Sequence, residues 1–402
     1  MKAPSIELIF VSVVAFSFVA LCHAANAQTY SVSDLGAVAN FSEATGAVSV
    51  NARGDVVGQS ILPAGPDRAF VWRNGQSLDL GTLGGPAAGA KGINALDVIA
   101  GTSDTADGFE HAVLWIPSRP AFATGAFTLS DLGTFGGKSS ESNSINVLSH
   151  VGGFALTTIP DPTITLEFGE EGHGFFWDGS MHELGTLGGP NSIAIGINDK
   201  DWLVGWSQAS FDLGDAGIPN LHAVIWKNSA IRDMGSFGGP ISLAFAINNN
   251  GLAVGQSMRP DFSFHAFTWQ NGVLSDLGTL PGDSQSGAGG VNSQGEIVGG
   301  SSNDTTQAAC LWQHQRPVDL NTRISDPAWQ LAVANSINNR GQIAGYGFLN
   351  GELHAFLLTP NKKDGPSGVS GGRPALVMSG SKSAIWQRTG LGRNRLDNIR
   401  TH

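Results

Sequence analysis

Five histidines of this chain stand in nearly the same short phrase: His111 in HAVLW, His173 in HGFFW, His222 in HAVIW, His265 in HAFTW and His354 in HAFLL. An acid recurs as regularly, in DLGTLGG at 79–85 and its copies, at Asp34, Asp79, Asp131, Glu183, Asp233, Asp276 and Asp319. Imidazoles and carboxylates bind metals and act as catalytic acids and bases, so the first question is whether they converge. The acids recur every 43 to 52 residues, which puts each copy in its own structural unit. Groups spread evenly over repeats do not meet at one metal or one substrate. A role inside each unit is therefore expected for the histidines, and a packing or turn role for the acids. No zinc spacing, calcium loop, phosphate loop or serine elbow appears, and no cofactor is implied.

The acids that break the pattern are better candidates for chemistry. From a glycine in each unit to the histidine position the gap is 9 or 10 residues in five units, but 20 in the third (Gly153 to His173) and 17 in the fourth (Gly205 to His222). These two long segments carry Glu167, Glu170, Glu171, Asp212 and Asp215, with Phe168 and Phe211 as apolar surface. Carboxylates can hold sugar hydroxyls or a divalent cation, and aromatic rings can stack on a pyranose. These seven residues are the candidate ligand site. Two acids facing each other, such as Glu170 and Asp212, would instead suit polysaccharide cleavage by a hydrolase or lyase. A purely structural surface protein is the third reading.

The elements that must position them follow from the repeat. A second landmark is an asparagine with a glycine seven residues later, from Asn51/Gly58 to Asn338/Gly345. A third ends in tryptophan, at Trp72, Trp115, Trp177, Trp226, Trp269 and Trp312, with Leu358 in the last copy. Each unit reads as four short strands, rich in β-branched and aromatic residues and bounded by turn residues. Asn opens four-residue turns such as NNNG and NSQG, which fit a type I turn. Four strands in about 45 residues make one propeller blade, and blades must stack to bury their faces. The last unit lacks an Asp-Leu-Gly strand, while the first such strand, YSVSDLG at 30–36, has no tryptophan strand before it. The two leftovers complete each other. The expected fold is all-β: a seven-bladed propeller over 28–360, closed by its N-terminal strand.

In an antiparallel blade the second-to-third loops emerge on the same side as the crossings to the next blade. The two long segments should therefore be neighbours on one rim. A further insertion, at 116–127, lies between the third and fourth strands of the second unit.

The combination of HAF-x-W, DLGTLGG and IN-x-x-G-x-x-x-G resembles the HAF repeat family of probable extracellular bacterial proteins. The resemblance covers roughly 30–360 and departs from the family pattern at Arg68, Ala308 and Leu358. It implies export and β-rich repeats, and it implies no particular activity.

Residues 1–27 read as a secretory leader: Lys2, an apolar run from Leu8 to Leu21, then Ala25-Asn26-Ala27, with cleavage before Gln28. That run is shorter than the roughly 20 residues a membrane span needs. The mature chain is thus expected to be periplasmic or extracellular, without a transmembrane segment, and monomeric. Cys22 leaves with the leader, so Cys310, inside AACLW, is read as a buried inert thiol. Residues 28–360 hold 13 Lys/Arg against 30 Asp/Glu, which excludes nucleic acid as the natural partner. The segment 361–402 reverses the sign, with 8 Lys/Arg and 2 Asp/Glu, and reads as a disordered basic tail. The expected partner is a glycan or an envelope protein bound by an exported recognition or scaffold module.

Overall fold

The computed structural model describes residues 27–36, 46–60, 66–118, 127–163, 169–213, 219–228 and 230–362. Residues 1–26 and 363–402, on which the readings of a leader and a basic tail rest, lie outside the described residues, as do Glu167, Phe168 and Asp215. Asp212 lies on a strand, but its side chain is outside the description.

The first strand is β1 (Tyr30–Asp34). Blade 1 follows with β2 (Gly46–Val50), β3 (Val56–Ser60), β4 (Arg68–Arg73) and β5 (Gln76–Asp79). Blade 2 holds β6 (Gly84–Ile93), β7 (Ile99–Thr105), β8 (Glu110–Pro117) and β9 (Phe127–Asp131). Blade 3 holds β10 (Gly136–Ile145), β11 (Val151–Pro160), β12 (Glu170–Trp177) and β13 (Met181–Glu183). Blade 4 holds β14 (Ser192–Ile197), β15 (Leu203–Leu213), β16 (Pro219–Lys227) and β17 (Ala230–Asp233). Blade 5 holds β18 (Ser242–Ile247), β19 (Ala253–Met258), β20 (Phe264–Gln270) and β21 (Val273–Asp276). Blade 6 holds β22 (Gln285–Val291), β23 (Ile297–Ser302), β24 (Gln307–Gln313) and β25 (Arg316–Asp319). Blade 7 takes β26 (Trp329–Ile337), β27 (Ile343–Leu349) and β28 (Glu352–Pro360), and its fourth strand is β1.

The protein is a seven-bladed β-propeller of four-stranded antiparallel sheets. Each blade's first strand approaches the first strands of both neighbours, so the seven form the inner ring around the axis. β1 closes that ring from outside, pairing antiparallel with β28 from Tyr30↔Pro360 to Asp34↔Phe356. Among the described residues no helix is long and apolar enough to cross a membrane.

The recurring asparagine does more than open a turn. All seven, Asn51, Asn94, Asn146, Asn198, Asn248, Asn292 and Asn338, are buried. Each Nδ2 donates to the main-chain carbonyl of the asparagine in the next blade, at 2.9–3.5 Å, and the circuit closes from Asn338 back to Asn51. Each Oδ1 accepts two N–H groups of its own turn, as Asn198 does from Lys200 and Trp202. The fourth turn position has positive φ in every blade, at Gly54, Asp97, Ser149, Asp201, Gly251, Gly295 and Gly341. Gly suits that region because it has no Cβ, and Asp and Ser bring short polar side chains.

The seven-residue gap to glycine also has a cause. Inner strands slip register just before the turn, as between Ala194 and Gly196. The slip presses the Ile193 carbonyl against Gly205, where a Cβ would find no room. Serines then lock blade to blade. Ser140, Ser242 and Ser286 accept from Ala112, Ala223 and Ala266 of the preceding blade, and donate to Gly133, Gly235 and Gly278 carbonyls. The core lies between blades; one cluster joins Phe154, Ile193, Trp206, Leu221, Leu243 and Phe264 across blades 3 to 5. Cys310 is fully buried and in no disulfide.

Candidate binding face

The recurring histidines and acids meet pairwise within one sheet each. His111 Nδ1 lies 2.9 Å from Asp131, His173 2.6 Å from Glu183, His222 2.7 Å from Asp233, His265 2.9 Å from Asp276 and His354 3.1 Å from Asp34 of the closing strand. In blade 1 Arg68 substitutes, 2.8 Å from Asp79. In blade 6, with Ala308 at the histidine position, Asp319 caps a single 3-10 turn at Leu320–Arg323. Five of the acids also accept the N–H two residues on, at Gly36, Gly81, Gly133, Gly235 and Gly278, which fixes the exit from the outer strand. Burial opposes ionisation of Asp276, but its bonds to His265 and the Gly278 N–H outweigh that and hold the carboxyl below its ordinary range. Among the described residues no three His, Cys, Asp or Glu come together to hold a metal ion.

Three of the recurring tryptophans tie their blade to the exit from the one before. Trp115, Trp226 and Trp312 donate to the carbonyls of Gly81, Gly185 and Leu277. Trp269 carries the Arg232 guanidinium 5.3 Å from its ring centroid, while Trp72 and Trp177 stay half-buried.

The second-to-third hairpins and the blade crossings share one face. Two of these hairpins outgrow the rest: β11 with β12 pairs out to Pro160↔Glu170, and β15 with β16 pairs out to Leu213↔Pro219. They are bound together. Asn191, on the crossing between blades 3 and 4, donates to Asp161 of one hairpin at 3.0 Å and to Gln208 of the other at 3.2 Å. Its Oδ1 accepts from Gly172. Asp161 in turn accepts from the Thr163 N–H and hydroxyl. Of the sequence candidates, Glu170 is half-buried at the start of β12 and Phe211 is 56% exposed near the end of β15. Glu171 turns inward to His173, 3.5 Å away. The buried tie of Asp161, Asn191 and Gln208 was missed, because its members lie on three separate segments, and polar residues at the equivalent positions of other units, Gln285 and Asp104, make no such tie legible in the sequence.

A polar inset lies beneath this face between blades 2 and 3. Lys91 Nζ stands 3.7 Å from Glu141, and Asp104 accepts from the Ala87 N–H. Burial pushes the Glu110 carboxyl up to about 7, aided by the Glu141 and Asp104 charges and opposed by a Thr102 hydrogen bond and Lys91. The repeats place Leu221 and Phe264 where blade 2 has Glu110, and Ile193 and Leu243 where blade 3 has Glu141, all four in the apolar core. Because the folded-state value exceeds the unfolded one, Glu110 favours folding at low pH, and this is lost as pH rises from 4.5 to about 7. Glu110→Gln is expected to remove that loss and to be more stable than the parent at pH above 7, by on the order of 3 kcal/mol. Urea denaturation of both proteins at acidic and alkaline pH measures it; identical pH dependence would show that Glu110 ionises freely.

No family model and no curated protein matches the chain. Solved structures do. The chain is similar to the β-propeller domain of the Trilobed protease from Pyrococcus furiosus, at 9% identity and TM-score 0.49, over 82% of this chain and 100% of that one. It is similar to TolB from Acinetobacter baumannii at 11% identity and TM-score 0.42, over 78% of this chain and 65% of that one. A gluconolactonase, XC5397 from Xanthomonas campestris, matches at 11% identity and TM-score 0.36, over 83% of this chain and 100% of that one. At these identities the likeness concerns fold alone.

Proposed function

We propose that the protein is an exported recognition module whose ligand, a glycan or another cell-envelope component, binds on the hairpin face at blades 3 and 4. The observation that carries this reading is the pair of extended hairpins bound side by side through Asp161, Asn191 and Gln208. A repeat scaffold needs no such extension to stay folded, and copies differ where a surface has acquired a task. The leader-like N-terminus and the HAF-type motifs support export.

Thermal unfolding against a panel of glycans and divalent cations tests it. A ligand at 100 times its Kd adds about 2.7 kcal/mol to stability, a visible shift in midpoint. The shift is expected to vanish when Glu167, Glu170, Glu171, Asp212 and Asp215 are replaced by alanine. A ligand whose shift survives these changes would move the site elsewhere on the ring.

A further inference from the structure

Nine large apolar side chains stand exposed among the described residues. Four of them occupy the second-to-third hairpins of four consecutive blades: Phe109 (38% exposed), Ile159 (51%), Phe211 (56%) and Phe262 (53%), in blades 2 to 5. Scattered exposed apolar residues need no explanation, but a row on one face does. Phe262 is doubly unfavourable. It has φ +63, a left-handed conformation that its Cβ disfavours, and it holds its ring in water. Rule-breaking of that sort marks a surface kept for binding.

The same face is acidic. An acid accompanies the hairpins of blades 1, 2, 3, 5, 6 and 7, at Asp67, Asp107, Glu170, Asp261, Asp304 and Glu352. The nearby cations are engaged: Lys138 lies over the Phe109 ring, and Arg259 bonds His265. The fitting occupant is cationic with apolar side chains. A second copy would bring the same acidic face against its own kind.

The chain itself contains the complement. Residues 363–402 carry seven Lys/Arg against two Asp/Glu, and include the apolar runs ALVM (375–378) and AIW (384–386). This segment starts after β28, whose end pairs with Tyr30 on the opposite face of the ring. Forty residues extend to on the order of 130 Å, far more than the roughly 30 Å of a long strand they must pass. Tethering supplies the segment at millimolar effective concentration.

We propose that the basic segment 363–402 docks in cis along the row Phe109, Ile159, Phe211 and Phe262. The location rests on the functional reading above, but the contact does not depend on any ligand.

The test is trypsin cleavage of the full chain, followed by mass spectrometry at the six tail sites that remain once Arg373, which precedes Pro374, is set aside. At low ionic strength the tail is expected to be cut slowly, and roughly tenfold faster in about 0.5 M salt, which screens its charges. Replacing Phe109, Phe211 and Phe262 together by serine should give the fast rate already at low salt. An unchanged melting midpoint, expected for exposed positions, shows that the variant is folded. Tail cleavage at one rate in parent and variant at low salt overturns the proposal. So does a parent that sediments as a dimer which the serine variant abolishes, since a second copy would then be the occupant. No added ligand is involved, so a failed ligand panel and a failed tail contact are told apart.

Discussion

Asn198→Ala is expected to destabilise the propeller by roughly 3–5 kcal/mol, far more than its place in a turn would suggest. The side chain makes three bonds at once: Nδ2 to the Asn248 carbonyl, and Oδ1 from the N–H groups of Lys200 and Trp202. Alanine leaves that carbonyl and those two N–H groups without these partners, at about 1–3 kcal/mol for each that water cannot reach. Asn198→Asp separates the donor from the acceptors. It keeps both accepted bonds, loses the donated one, and places a carboxylate beside a buried carbonyl. Its folded-state pKa must then lie above the unfolded one. The variant is therefore most stable at low pH, where the protonated oxygen can donate, and loses stability as pH rises through the folded value. The control is Asn250→Ala, in the neighbouring turn of blade 5, whose exposed side chain makes one bond to the Ser293 carbonyl and should change stability by less than about 0.5 kcal/mol. Chemical denaturation of the three proteins decides it; equal midpoints for Asn198→Ala and Asn250→Ala would show that the ring of asparagines carries no energy.

The difference between those two residues marks what the sequence could and could not show. Asn198 and its six equivalents recur at one spacing, so a structural role was legible, and the NNNG and NSQG strings correctly placed a turn. The hydrogen bond to the next blade was not legible. Its partner is a main-chain carbonyl 43 to 52 residues away at most steps, and 287 away where Asn338 meets Asn51, and main-chain atoms leave no mark on residue type. The serine locks at Ser140, Ser242 and Ser286 were hidden for a related reason: they bond main-chain atoms of another blade. The histidine–acid pairs were half legible. Their recurrence ruled out a shared metal site, but the pairing of third strand to fourth required the register, such as Phe267↔Asp276 beside His265.

The hairpin face was legible in outline. Chain-length differences located the two long hairpins, because insertions show directly in spacing. Which side chains leave the surface was not, since Glu170 and Glu171 are adjacent and only the second turns in to His173. The apolar row was missed because Phe109, Ile159, Phe211 and Phe262 share no motif and become neighbours only when blades are set side by side.

Deleting the N-terminal strand is the second large effect expected. A chain beginning at Ala37 lacks the five paired positions from Tyr30↔Pro360 to Asp34↔Phe356. It also loses Tyr30 and Leu35, which are 4% and 2% exposed and pack against Leu358 and Phe356 in one cluster and Leu357 and Ala355 in another. Burial, with a lesser push from Glu296, raises the Tyr30 phenol to about 12. Two buried side chains at about 1.5–3 kcal/mol each, with the lost strand bonds at about 1 kcal/mol each, approach the 5–15 kcal/mol typical of whole proteins. β28 would moreover become a bare edge open to pairing with other chains. The truncated protein should therefore aggregate or melt without cooperativity. The converse experiment strengthens the same joint. Ser31 and Thr359 face each other across the closing pair, both exposed, and Cys310 is buried too deeply to compete for a new disulfide. A disulfide between Ser31→Cys and Thr359→Cys would bind almost the whole ring into one loop, and chain entropy allows up to roughly 5–6 kcal/mol of stabilisation. Oxidised and reduced forms of the double variant differ in nothing else, so their unfolding midpoints isolate the closure. A higher midpoint on oxidation, together with collapse on truncation, means that the ring opens first between β1 and β28. A truncated chain that melts like the parent would mean that six blades and three strands hold the circle unaided, and that the inner asparagine ring is the true fastening.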